Sequence, residues 1–203
     1  MEERRNQETW PLLLGSGSPR RREILGFFRI PFQVVSSDFP EETIPWGGDP
    51  SEYVLQLACA KANHLAAAWP HHTLLCADTA VFVDGEVLNK PTSPAEAHAM
   101  LRRLAGREHQ VWTGVCLRRG HKEHKAAQQT RVWVRDLSDR EISLYQSGLH
   151  TLDKAGGYAV QGAGGIIIER IDGCFYNVMG MPLRATETLL TQAGIDLWQY
   201  LGS

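Results

Sequence analysis

A carboxylate inside an apolar run is the residue of this chain most in need of a chemical reason. Asp78 sits within Leu74-Leu75-Cys76-Ala77-Asp78-Thr79-Ala80-Val81-Phe82-Val83, which reads as a strand buried on both faces, where an unpaired charge is costly. Three roles would answer that cost: a structural carboxylate satisfied by Thr79 or by backbone N–H groups, a general base, or a metal ligand. Lys61 raises a matching question. It falls in the apolar stripe of Val54, Leu57, Ala58 and Leu65, either snorkelling out of that face or held inward as a working cation. The acidic turn Asp38-Phe39-Pro40-Glu41-Glu42 and Lys90 of Leu88-Asn89-Lys90-Pro91 read alone as solvated loop residues. As a set, these residues supply carboxylates for a divalent ion and cations for phosphates, the equipment for hydrolysing a phosphate ester or anhydride.

A second cluster is suited to holding the phosphates. Leu12-Leu13-Leu14 reads as a buried strand and runs into Gly15-Ser16-Gly17-Ser18-Pro19-Arg20-Arg21-Arg22. Ser18 is placed as an N-cap and Pro19 as the first helical residue, whose missing N–H costs nothing there. A helix N-terminus attracts anions, and arginine forks match phosphate oxygens. The spacing fits neither G-x-x-x-x-G-K-[ST] nor G-x-G-x-x-G. The plainer reading, a capped helix with a solvated basic first turn, leaves the unfavourable meeting of arginines and helix dipole unexplained.

These residues must be positioned by alternating elements. Helical spacing predicts helices over residues 18–28 and from 49 or 50 to 69. Strands are expected at 31–36 and 74–83, the latter turning through Asp84-Gly85 into Glu86-Val87-Leu88. Capping boxes at Ser93…Glu96 and Ser138…Glu141 open two further helices, ending near Gly106 and Gly148. Strands at 109–117 and 127–134 flank a polar turn. A glycine-rich segment (156–165) leads into a strand at 166–171, then the Asp172-Gly173 turn, another short strand and a C-terminal helix opened by Pro182. Within the glycine-rich segment, Gln161 either pairs with a base edge or belongs to a tight turn over a buried Tyr158. The alternation predicts an α/β fold with a mixed, twisted sheet flanked by helices.

At 203 residues, the chain suits one domain or two closely packed lobes. Residues 1–9 read as a flexible tail before a single domain at 10–203. A net charge of −2 argues against wholesale attraction to nucleic acid or to a membrane surface, so an anionic ligand must be caught by a local basic cluster. No apolar run reaches the ~20 residues of a membrane span. Four scattered cysteines, with no C-x-x-C pair and no signal peptide, read as thiols of a cytoplasmic protein. The eight histidines show no metal-ligand spacing.

Seven segments in order resemble the Maf nucleotide pyrophosphatases: Gly15-Ser16-Gly17-Ser18-Pro19-Arg20-Arg21, Ala60-Lys61-Ala62, Ala77-Asp78-Thr79-Ala80-Val81, Asn89-Lys90-Pro91, His109-Gln110-Val111-Trp112-Thr113-Gly114-Val115, Asp153-Lys154-Ala155-Gly156-Gly157-Tyr158-Ala159-Val160-Gln161-Gly162 and Asn177-Val178-Met179-Gly180-Met181-Pro182-Leu183. The resemblance implies hydrolysis of a nucleoside triphosphate to the monophosphate and pyrophosphate with a divalent metal, Mg²⁺ or Mn²⁺. It implies Asp78 as catalytic base and, with Glu42, as metal ligand, and Lys61 and Lys90 as further active-site residues. Ser16, Ser18, Arg20 and Arg21 would hold phosphates. Arg20, Thr79 and Gln161 match the branch acting on dTTP and UTP, whereas a sister branch acting on 7-methyl-GTP carries other residue types there. The implied fold is two-lobed with a central cleft, like the inosine triphosphatases, and is often a homodimer. Met181 departs from the family's usual leucine, a volume-conserving change, and the tail before Trp10 is longer than usual. Two other readings stay open: a purine or non-canonical (ITP-type) pyrophosphatase, and a non-catalytic nucleotide-binding regulator of division.

Overall fold

The computed structural model describes residues 12–202; the expected tail at 1–9 and Trp10 lie outside them. The chain runs β1 (Leu12–Gly15), α1 (Pro19–Leu25), β2 (Phe32–Val35), a 3-10 turn (Glu41–Thr43), α2 (Pro50–Ala68), β3 (Thr73–Val83), β4 (Glu86–Leu88) and α3 (Pro94–Leu104). It continues through β5 (Glu108–Arg119), β6 (Lys122–Val134), α4 (Asp139–Gly148), β7 (Ile168–Asp172), α5 (Phe175–Met179) and α6 (Leu183–Gln192). The seven strands form one sheet in the order β2-β1-β3-β5-β6-β7, with β4 also on β3. β2, β1 and β3 are parallel, and β3, β5, β6 and β7 antiparallel. This is the expected mixed sheet flanked by helices. No helix among the described residues is long and apolar enough to cross a membrane.

Local signals account for most boundaries. Asp49 caps α2, its carboxylate accepting from Ser51 and Glu52 N–H, with Pro50 in the first turn. Asp84 and Gly85 both take positive φ (54° and 77°), the twist that matches a two-residue hairpin between β3 and β4. Ser138 and Glu141 form the reciprocal capping box. Ser93 makes only half of one: its hydroxyl accepts from Glu96 N–H, but the Glu96 carboxylate turns to the N–H and hydroxyl of Thr92.

Three expectations are corrected. β5 and β6 extend to Arg119 and from Lys122, because a continuous ladder from Glu108↔Trp133 to Arg119↔Lys122 carries polar residues that pattern alone assigns to a turn. The strand after the glycine-rich segment starts at Ile168, since residues 162–167 form a 3-10 turn. The second short strand is instead the helix α5. The Thr130 hydroxyl bonds both the N–H and the carbonyl of Cys174, the Asn177 amide donates to Val111 O and Thr130 Oγ1, and Gly180 closes the turn at φ 109°. Tertiary hydrogen bonds outweigh the strand propensity of Phe175, Tyr176 and Val178.

Two main cores lie at the two ends of the long strands. One joins Leu12, Ile24, Leu75, Met181 and Leu190, and the other Val83, Leu101, Leu104, Val134 and Ile142. β3, β5 and β6 contribute to both. α2 covers β3 and β5 through Val54, Leu57, Ala58 and Ala62, which join further apolar clusters.

Candidate active site

On one edge β3 pairs with β1 only at Thr73, Leu74 and Leu75, and with β4 only at Val81, Phe82 and Val83. Residues 76–80 therefore have a strand neighbour on the β5 side alone. A cavity of about 720 Å³ opens along this stretch and takes Asp78 and Thr79 into its wall, a volume typical of small-molecule sites. Residues 15–21, Glu41, Glu42, Lys61, Asn89, Lys90 and residues 158–161 also line it. At the end of β1 only glycine fits, since a Cβ on Gly15 would lie 2.3 Å from Cys76 Sγ.

At its floor Lys61 bridges two carboxylates. The ammonium pairs with Asp78 Oδ1 and, at 2.7 Å, with Glu41 Oε1. Lys61 and Asp78 are 7% and 6% exposed, so each charge is compensated by the other rather than by water. Lys90 Nζ stands 3.9 Å from Glu41 Oε1. Burial pushes the Glu41 carboxyl up, but the hydrogen bond and charge of Lys61, with Lys90 and Arg21 behind it, hold it below the usual carboxylate range. Lys61 thus points inward. Glu42 reaches the cavity wall but is exposed. Glu41, passed over in the sequence in favour of its neighbour, makes the contact; nothing in a pair of adjacent glutamates shows which one a three-residue turn aims inward.

The loop after β1 is organised from within. Ser18 stands at the N-cap position of α1, yet its side chain makes no capping bond; Ser16 Oγ instead accepts from Ser18 N–H at 3.2 Å. Arg21 donates to Ser16 Oγ (3.1 Å), Thr79 Oγ1 (3.0 Å) and Gly180 O (2.7 Å). It therefore ties the loop to β3 and to the end of α5, with two of its five N–H groups beyond these bonds. Thr79 Oγ1 lies 2.9 Å from Thr113 Oγ1, which donates to Asn177 O; the Thr79 hydroxyl is thus fixed between Arg21 and Thr113. Arg20 reaches the cavity wall held by Asp153, Nη1 to Oδ2 at 3.0 Å.

The glycine-rich segment closes the far side. Gln161 is partly buried on the wall beside Val160 and the buried Tyr158. The Tyr158 hydroxyl meets His109 Nε2 at 2.6 Å. Burial pushes His109 down to about 4 and Tyr158 up, so a neutral imidazole holds the Tyr158 ring, which lines the cavity along with Gln161. This contact between His109 and Tyr158, 49 residues apart, is one that sequence context does not reveal.

The arrangement unites every residue singled out in the sequence: Ser16, Ser18, Arg20, Arg21, Glu42, Lys61, Asp78, Thr79, Lys90 and Gln161 all line one cavity. One oxygen of Asp78 and one of Glu41 engage Lys61, leaving the second oxygen of each as a hard donor. Such a pair suits Mg²⁺ or Mn²⁺, which take one or two carboxylates and complete their shell with water and phosphate oxygens.

The site is thus a cation bridging two carboxylates beneath a serine–arginine loop, set in an α/β protein with a mixed sheet. The family described as Maf-like protein matches residues 11–193, and the chain belongs to that family. It is 43% identical over 191 residues to a dTTP/UTP pyrophosphatase of Chlamydia caviae, covering 94% of this chain and 97% of that one. A dTTP/UTP pyrophosphatase of Caldicellulosiruptor bescii is likewise 43% identical, covering 92% and 96%. A nucleoside triphosphate pyrophosphatase of Chlamydia muridarum is 42% identical, with 94% and 97% covered.

Proposed function

We propose that the protein hydrolyses dTTP and UTP to the monophosphate and pyrophosphate. The observation that carries this reading is Lys61 held between Asp78 and Glu41 at the floor of a cavity that also takes in the serine–arginine loop and Gln161. The relatives named dTTP/UTP pyrophosphatases support the substrate class. In this reading the triphosphate lies along residues 16–21, with Ser16, Ser18, Arg20 and the remaining donors of Arg21 on its oxygens. Asp78 takes a proton from the attacking water as the bond from the α-phosphorus to pyrophosphate breaks. Lys61 orients Asp78, and with Lys90 offsets the charge that develops on the phosphates. Thr79 and Gln161 stand where the base and sugar are selected. A divalent ion held by Asp78 with Glu41 or Glu42 would supply Lewis-acid polarisation of the phosphates.

A panel of nucleoside triphosphates assayed for pyrophosphate release, with and without Mg²⁺ or Mn²⁺, tests the proposal. Preference for dTTP and UTP is the expected result. Preference for ITP would replace it with the purine-type reading, and binding without turnover with the regulatory one. The proposed setting is the cytoplasm, which the four free thiols fit; a homodimer, carried over from the family, is checked by sedimentation.

A further inference from the structure

We propose that Cys59, Cys116 and Glu123 form a second metal site, one for zinc or a similarly thiophilic divalent ion, apart from the catalytic cavity. The three residues come from α2, β5 and β6, and their sulfur and carboxylate ligand atoms lie within 4.8 Å of one another. Tetrahedral zinc with bonds near 2.3 Å places its ligands about 3.8 Å apart. Closure therefore needs about an ångström of side-chain movement, which the exposed Glu123 can supply. Three protein ligands leave a fourth position for water.

The surroundings suit such an ion. Cys116 is fully buried and Cys59 partly so, giving one wall shielded from solvent and one side open for entry. Lys125 is the cross-strand partner of Cys116 on β6, and its charge would balance two thiolates and a carboxylate around a divalent ion. Thiolates favour zinc-like ions over the hard Mg²⁺ or Mn²⁺ suited to the Asp78 cavity. Cys59 lies two residues before Lys61 on α2, so a bound ion would pin that helix to the β5–β6 hairpin.

The test is titration of reduced, chelator-treated protein with Co²⁺. Expected are a sulfur-to-cobalt charge-transfer band at one equivalent, its loss on adding Zn²⁺, and a thermal midpoint raised by several degrees with Zn²⁺. Cys59→Ser should abolish the band, and the surface substitution Glu123→Gln should weaken binding at least about tenfold while the folded far-UV spectrum is kept. Cobalt bound only at the carboxylate cavity gives no thiolate band. Absence of the band in the reduced protein, a band unaffected by Cys59→Ser, or peroxide-driven joining of the two cysteines without metal uptake would each overturn the site.

Discussion

Gly114 faces Asp78 across the β3–β5 ladder, and a Cβ placed there would lie 2.3 Å from the Val54 carbonyl oxygen of α2. The missing side chain lets the helix that carries Lys61 settle onto the strand opposite the carboxylate. Gly114→Ala is therefore expected to cost about 1–3 kcal/mol of stability by overpacking, and to lower turnover by lifting α2. Denaturant unfolding and pyrophosphate release on the same preparation check both effects; a variant of unchanged stability would show that α2 has slack.

Asp78→Asn keeps an acceptor for Lys61 but cannot take a proton. Loss of turnover by roughly 10²–10⁴-fold is expected, in protein that stays folded at the assay temperature but has a lowered thermal midpoint, because Lys61 keeps only Glu41 as its counter-charge. A loss of turnover matched by unfolding would instead mark Asp78 as structural.

The two glutamates of the acidic turn are separable. Glu41→Gln keeps an acceptor for Lys61 but removes the charge that pairs with it, so it should slow turnover about tenfold. Glu42→Gln should lose less, with any loss tracking divalent-metal concentration. Steady-state rates across a Mg²⁺ series distinguish them, and the reverse order would return the principal role to Glu42.

His109 gives stability a pH dependence of definite sign. Its folded pKa is pushed down to about 4 by burial, against about 6.5 in an unfolded chain. Between those values the unfolded chain binds a proton that the folded chain does not. Stability is thus full above about pH 6.5 and falls on acidification, by roughly 2–3 kcal/mol near pH 4.5. His109→Phe should flatten this part of the profile in denaturant titrations at pH 7 and 4.5. It should also raise KM more than it lowers kcat, since Tyr158 loses its partner.

Legibility in the sequence followed the range of the interactions. Asp78 and Lys61 stood out because a charge in an apolar strand or stripe violates a local pattern. The Asp84-Gly85 turn and the Ser138 cap are likewise set by neighbours in the chain. Arg21 was legible as a cation near phosphates, but its bonds to Thr79 and Gly180 span 58 and 159 residues and leave no local trace. α5 was misread because Thr130, 44 residues away, decides it. The choice between Glu41 and Glu42 rests on the aim of a single short turn.

The interruption along β3 also has a consequence for substitution at position 79. Consecutive strand residues point to opposite sides of a sheet, and in a fully paired strand they serve separate compartments. Where the edge of β3 lies open, the partition lapses, and Asp78 and Thr79 border one chamber while being anchored in different networks: Asp78 by Lys61, Thr79 by Arg21 and Thr113. A change at position 79 would therefore leave the Lys61 partner of Asp78 in place while removing one of the three bonds that hold Arg21.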